Sequence, residues 1–278
     1  MNGILLVDKP SGWTSFDVVA KIRGILRAAQ KQELLRVSHL DAAQGSQEEG
    51  ARRTTSTVSE RQTPADTAMR QEPASMAGFA RQQGKAMRKI RVGHAGTLDP
   101  LATGLLILLL GDYCKRAGEF NKLDKTYEVT MKLGQTSTSG DEEGEKSIVS
   151  SAKPSEKALL TITKRFQGAG LQTPHKFSAV KVNGQRAYKL AREGKEVVLE
   201  PRKVTIFEIS GVKYAYPEVK FTCKVSSGTY IRSLVEDIGE ELGTGAYMTA
   251  LRRTKIGEFH IIDAHTPTEV NLSKTLTP

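Results

Sequence analysis

The sequence predicts an α+β fold, with a mainly antiparallel central sheet flanked by helices. Three observations lead there. Lys125 to Gly134 alternates so that Tyr127 and its alternate neighbours share one face, as a half-buried strand requires. Val204 to Val212 and Val219 to Val225 carry the same strand signal. Apolar residues instead recur at helical spacing from Glu156 to Phe166, and again at Leu234, Val235, Ile238 and Leu242 before Gly243.

In chain order, Gly3 to Val7 is a short buried-strand pattern ending at the turn Asp8-Lys9-Pro10-Ser11-Gly12. Lys9 sits on that turn, where a solvated charge would suffice to explain it. Thr14-Ser15 resembles a helix start, and Val18, Val19, Ile22, Ile25 and Leu26 give that helix one apolar face. From about Ala28 to Lys85 the chain turns polar and unpatterned, interrupted by Pro64 and Pro73, and this stretch is predicted to be disordered. Leu34, Leu35 and Val37 could extend the preceding helix by a few turns. Lys85, Arg88, Lys89 and Arg91 then form a basic run suited to phosphates or simply to solvent.

The stretch Gly93-His94-Ala95-Gly96-Thr97-Leu98-Asp99-Pro100-Leu101-Ala102-Thr103-Gly104 delivers one carboxylate to the apolar segment Leu105 to Leu110. Its spacing predicts a short helix with Asp99 at the N-cap and Pro100 at the first helical position. Capping alone would account for Asp99. The small residues around it, however, let a ligand approach the backbone closely, and His94 adds a flat polar ring. Further on, Thr136 to Glu145 reads as a polar turn. Gln172 to Gly184, with Arg186, Lys189 and Arg192, interleaves basic side chains with aromatics, a mixture suited to a folded RNA loop. Arg232 falls at a strand-to-helix junction, from which a side chain can be aimed into a cleft.

The 278 residues carry 41 Lys and Arg against 31 Asp and Glu, a net charge of +10 that favours a polyanionic partner, nucleic acid before membrane surface. Cys114 and Cys223 are the only cysteines and the five histidines are scattered, so neither a disulfide framework nor a metal site is supported. Leu105 to Leu110 is far too short to span a bilayer, and the first motif begins at Gly3 without room for a leader. A soluble, cytoplasmic protein is expected.

Five ordered stretches carry a resemblance. The Gly93 to Gly104 motif resembles the catalytic signature of the TruB family of tRNA pseudouridine synthases. It is accompanied by Asp8 to Ser15, by Lys125-Thr126-Tyr127-Glu128, by Phe177-Ser178-Ala179 with Tyr188 to Arg192, and by Gly228 to Arg232 with Leu251 to Thr254. The resemblance implies the pseudouridine synthase fold, with an active-site cleft and a thumb loop over the substrate. It implies isomerisation of the T-loop uridine of tRNA, position 55, to pseudouridine, by cleavage of the glycosidic bond, rotation of the flipped base and C5–C1′ bond formation. No cofactor is implied.

By the same resemblance Asp99 is the nucleophile, attacking C1′ of the ribose or C6 of the base. Arg232 would bind its carboxylate through a forked contact, and Tyr127 would stack on the target base. His94 would fill the gap left by the flipped base, and Tyr230 and Leu251 would wall the pocket. Phe177 and Lys181, on the thumb, would grip the RNA. Lys9 is grouped with the substrate-binding residues, although its motif is expected to brace Tyr127. The implied partner is the T arm of tRNA, bound by a monomer, with no membrane involved. A tRNA-binding or tRNA-folding protein using the same cleft without turnover is the alternative, but it would not need Asp99, Tyr127 and Arg232 together.

The domain reading follows: a catalytic domain from 1–27 and 87–265, an insertion at 28–86 that the family typically lacks, and a tail at 266–278. The PUA-type C-terminal domain common in the family is expected to be absent. One local departure stands out, since His175 occupies a position where the family usually carries a second proline.

Overall fold

The computed structural model describes residues 2–52, 90–178, 180–182 and 184–270. Two compact units partition the chain, one formed by residues 1–22 and 91–278 and the other by residues 23–90. The first contains the sheet, and its elements are β1 (Gly3–Lys9), β2 (Val92–Ala95), β3 (Thr103–Leu110), α2 (Ala117–Asn121), β4 (Lys125–Leu133), β5 (Gln135–Ser137), β6 (Lys146–Ile148), α3 (Glu156–Arg165), β7 (Gly168–Gln172), β8 (Lys181–Val182), β9 (Gln185–Arg186), α4 (Ala187–Arg192), β10 (Arg202–Ala215), β11 (Glu218–Val225), α5 (Ile231–Glu241), β12 (Ala246–Ile256) and β13 (Phe259–His260). The helix α1 (Ser15–Arg52) begins in this unit and continues into the other.

Among the described residues the main sheet runs in the order β1-β3-β12-β4-β11-β10-β7, with β2 on β3 and β13 on β12. All its pairings are antiparallel except β12 with β3, where Arg252 and Arg253 face Thr103 and Gly104. The predicted α+β architecture with a mainly antiparallel sheet is what the chain adopts. The alternation in β4 works as expected: Lys125, Tyr127, Val129, Met131 and Leu133 point inward. They pack with Val219, Phe221, Cys223 and Val225 of β11 under Leu234, Val235 and Ile238 of α5. Burial pushes the Cys223 thiol up to about 12, as expected of an inert core cysteine. Cys114 is only partly buried.

Two expectations need correction, and one strand was not anticipated. Leu105 to Leu110 does not continue a capped helix from Asp99. It is the strand β3, buried on both faces between β1 on one side and β2 and β12 on the other. A run that is apolar at every position lacks the polar face of a surface helix, and it satisfies its backbone groups best at the centre of a sheet. Secondly, β12, which carries Leu251 to Thr254, is a long central strand. Its mixed sequence had given no strand signal. Thirdly, the stretch read as disordered from about Ala28 begins as helix: the extension that Leu34, Leu35 and Val37 allowed is longer than a few turns and runs through Arg52. The reason is local, since Ala28, Ala29, Gln30, Lys31, Gln32, Glu33, Leu34 and Leu35 are nearly all strong helix formers. The remainder of the segment read as disordered lies outside the described residues, as do Lys85, Arg88 and Lys89 of the basic run and residues 271–278 of the tail.

Gly104 is where β3 must approach β12 most closely. It has φ +102°, and a Cβ there would sit 2.3 Å from the carbonyl oxygen of Arg253. Gly104→Ala therefore combines left-handed strain with a backbone collision that no rotamer change relieves. A loss of about 3 kcal/mol or more is expected, read as a fall of about 6–12 °C in melting temperature. An unchanged melting temperature would show that the β3–β12 contact is looser than this geometry.

Candidate active site

The turn between β2 and β3 presents Asp99, and a set of backbone contacts holds it. Ala102 N–H donates to Asp99 O across the turn (3.1 Å), and Gly12 N–H donates to Pro100 O (2.9 Å). Ser15 Oγ accepts from Leu98 N–H (2.9 Å) and donates to Leu98 O (3.2 Å). Lys9, fully buried, donates from Nζ to the carbonyls of Pro10 (2.9 Å), Trp13 (2.6 Å) and Pro100 (3.2 Å). Burial lowers its ammonium to about 8, with the Asp99 charge opposing that fall and Arg253 adding to it. Thr14 and Asp17 close a reciprocal cap at the start of α1, fixing the approach of the same segment.

The Asp8 to Ser15 motif thus braces the aspartate turn. Lys9, placed above among the substrate-binding residues, has its ammonium enclosed by carbonyls and offers no surface to RNA. Arg253 completes the support from β12. It is 1% exposed and donates from Nε to Leu105 O (2.8 Å) and from Nη2 to Gly96 O (3.0 Å).

Opposite Asp99, the first turn of α5 presents Arg232. Tyr230 precedes the helix, with its backbone N–H donating to Gln172 Oε1 (2.8 Å) and its carbonyl accepting from Gln172 Nε2 (3.0 Å), so the end of β7 anchors the helix start. Arg232 Nη2 lies 2.9 Å from Asp99 Oδ2 and also donates to Phe177 O (3.0 Å). Nη1 donates to Ser139 O (3.0 Å) and reaches Asp141 Oδ2 at 3.5 Å. The expected forked pair with Asp99 is therefore divided. One nitrogen serves Asp99 and the other a second carboxylate, Asp141, whose side chain is 6% exposed against 40% for Asp99.

Asp141 is the site residue that sequence reasoning missed. It stands in the polar stretch Thr136 to Glu145 and looks there like any turn carboxylate; only its burial distinguishes it. Ser139 and Asp141 reach the arginine because β5 and β6 fold their connecting loop back toward β12, where Met248 N–H donates to Gly140 O (3.0 Å).

Asp99, Tyr127, Tyr230, Arg232 and Leu251 line one cleft of about 620 Å³. Tyr127 is nearly buried on β4, and Leu251 stands on β12 beside Val129. Tyr127, Arg232 and Leu251 belong to β4, α5 and β12, while Asp99 and Tyr230 stand on the segments that lead into β3 and α5, and the sheet order brings the five together. Lys125, Arg202 and Arg253 add positive charge to the lining, and burial lowers the Lys125 ammonium to about 8.

The remaining candidates lie outside that lining. His94, on β2, is half-buried with Nδ1 unpartnered, and burial together with the Arg253 charge holds it below the usual imidazole range. Phe177 contributes its carbonyl rather than its ring, which stacks on His175. Lys181 is exposed on β8. Among the described residues no cluster of His, Cys, Asp and Glu has metal-binding geometry, and no helix is long and apolar enough to cross a membrane.

Residues 84–231 match the TruB family pseudouridylate synthase (N terminal domain), and residues 232–276 match the tRNA pseudouridylate synthase B C-terminal domain. The chain belongs to the TruB family. The second match carries the likeness past Phe259, where the recognisable motifs end, into the segment read from sequence as a tail. The tRNA pseudouridine synthase B of Thermobifida fusca (strain YX) is 34% identical over 289 residues, covering 100% of this chain and 77% of the relative. That of Aeromonas salmonicida (strain A449) is 35% identical over 93% of this chain and 62% of the relative. That of Parabacteroides distasonis is 44% identical over 66% of this chain and 79% of the relative.

Two solved structures share the fold. A chain of a Cbf5-Nop10-Gar1 complex superposes with a TM-score of 0.56 at 24% identity, covering 95% of this chain and 52% of that one. A chain of an H/ACA RNP bound to a substrate RNA containing 2′-deoxyuridine does so with 0.56 at 22% identity, covering 96% and 51%. This TruB-family chain thus spans about half the length of those solved chains.

Proposed function

We propose that this protein converts the T-loop uridine of tRNA, position 55, to pseudouridine, acting as a monomer on the T arm in the cytoplasm. The observation that carries the reading is the 2.9 Å pairing of Asp99 with Arg232 at a cleft lined by Tyr127. Asp99 is the more open of the two carboxylates on Arg232, so it is the one a nucleotide can reach. Once the uridine leaves the stacked loop, the Asp99 carboxylate adds to C1′ or to C6. The N1–C1′ bond breaks, the base turns within the cleft, and C5 joins C1′; the bond to the Asp99 carboxylate breaks as C5 displaces it from C1′ or, in the other route, as the carboxylate leaves C6. C5 then loses its proton and N1 gains one, so the conversion is redox-neutral and uses no cofactor. Tyr127 provides the stacking surface, a contact of about 1–3 kcal/mol per base. Leu251 and Tyr230 confine the detached base.

The test is to incubate unmodified tRNA with the protein and map pseudouridine by position. Conversion at the T-loop uridine supports the reading, and binding without conversion favours a tRNA-folding role instead. An isolated T-arm hairpin should be turned over within about tenfold of whole tRNA, because the recognition is of a folded loop. With a net charge of +10, binding should also weaken steeply with salt. A preference of orders of magnitude for whole tRNA, or salt-insensitive binding, would place the main contacts elsewhere on the chain.

A further inference from the structure

Arg232 is held by three groups besides Asp99, and they come from two loops. Nη1 rests on Ser139 O and Asp141, in the loop between β5 and β6, while Nη2 rests on Phe177 O in the segment that follows β7. The side chain packed against both loops is His175, at the position where the sequence departs from the family's usual proline. Its Nδ1 accepts from the backbone N–H of Phe177 (3.2 Å), and its ring stacks on that of Phe177 with centroids 5.8 Å apart and planes at 24°. An acceptor at Nδ1 places the ring proton on Nε2. Nε2 lies 3.4 Å from Oε1 of Glu236, one helical turn beyond Arg232 on α5.

This pair is seated against the other loop at Gly140, which has φ +72°. A Cβ at Gly140 would meet Glu236 Oε1 at 2.8 Å and His175 Nε2 at 2.9 Å, so the loop that carries Ser139 and Asp141 abuts the pair directly. His175 is 7% exposed, and the side chain has little freedom to leave this arrangement.

We propose that His175 is a positioning residue for the catalytic arginine, fixing the Phe177 carbonyl through the Phe177 N–H and, with Glu236, spacing the two loops that cradle Arg232. The proposal rests on the isomerase reading for its kinetic consequence but not for its structural one. A proline at this position would stiffen the backbone without offering Phe177 N–H an acceptor. In this chain the side chain does that work instead. Asn is the informative replacement, because its Oδ1 can accept from the N–H two residues on, as in an Asx turn, whereas Ala cannot. Neither reaches Glu236 as His does.

The experiment compares the full-length wild type with His175→Ala and His175→Asn, by turnover on the T-arm hairpin, by melting temperature and by the guanidinium ¹⁵N resonances of Arg232. The proposal expects His175→Ala to lower kcat about tenfold through misplacement of Arg232, with KM within about twofold. His175→Asn should recover most of that kcat. In parallel, separate Nη resonances from hindered guanidinium rotation should be seen in the wild type and His175→Asn and be averaged in His175→Ala. Unchanged kcat and resonances in His175→Ala would overturn the proposal. So would equal losses in both variants that track melting temperature, since that pattern marks packing alone. If the wild type converts no uridine, the isomerase reading fails, and the resonances still decide whether His175 fixes Arg232.

Discussion

Asp99→Asn is expected to abolish pseudouridine formation, lowering kcat by at least about 10⁴-fold, while leaving affinity for the T-arm hairpin within about tenfold. The amide matches the carboxylate in shape and can still accept from Arg232, so the turn and cleft should persist. It cannot act as an anionic nucleophile. The turn itself is held by contacts that do not involve the Asp99 side chain, namely those from Gly12, Ser15, Lys9 and Arg253 to Pro100, Leu98 and Gly96. For that reason the melting temperature should change little, and lost turnover can be assigned to chemistry rather than to folding. Measurable conversion by scrupulously pure Asp99→Asn, checked by mass-resolved mapping of the product nucleoside, would end the nucleophile assignment.

How far the sequence disclosed this site depends on what each signal measures. Strands with one buried face announced themselves, because alternation in Lys125 to Leu133 and Glu218 to Val225 records the two sides of the sheet directly. So did the apolar stripe of α5. β3 did not, since a strand buried on both faces has no period and its apolar run followed an Asp-Pro that suits a helix cap. β12 did not either. Its adjacent Arg252 and Arg253 interrupt any apolar alternation, and only the structure shows Arg252 paired with Asp8 (2.7 Å) and Arg253 enclosed by carbonyls.

The same limit explains the site. Asp99 and Arg232 were found through motifs that resemble a family. Their separation of 2.9 Å, across 132 intervening positions, is a property of sheet order that no local pattern contains. The second carboxylate, Asp141, and the carbonyls of Ser139 and Phe177 were invisible for a related reason. A backbone acceptor has no sequence identity, and a buried turn aspartate has the same letter as an exposed one.

Arg232→Lys is expected to lower kcat about 100- to 1000-fold, the scale seen when a pre-organised donor is removed from a reacting site. The guanidinium here makes four contacts in two directions, to Asp99 and Phe177 O through Nη2 and to Asp141 and Ser139 O through Nη1. An ammonium on a shorter, point-like head cannot reach both carboxylates in those directions. Whichever one it serves, the other loses its partner. If the lysine turns to Asp141, the buried carboxylate is kept compensated and Asp99 is left unoriented, so stability is retained and turnover is lost. If it turns to Asp99, Asp141 is left buried without a cation, held only by Ser139 Oγ and the Glu143 N–H, a situation that costs up to about 3–5 kcal/mol when a buried pair is broken, and the melting temperature falls with partial retention of turnover. Arg232→Ala removes both possibilities and should lose stability and activity together. Measuring kcat and melting temperature on the same two variants separates these cases. Near-normal turnover by Arg232→Lys at an unchanged melting temperature would mean that the divided contact orients nothing, and would remove Arg232 from the catalytic arrangement.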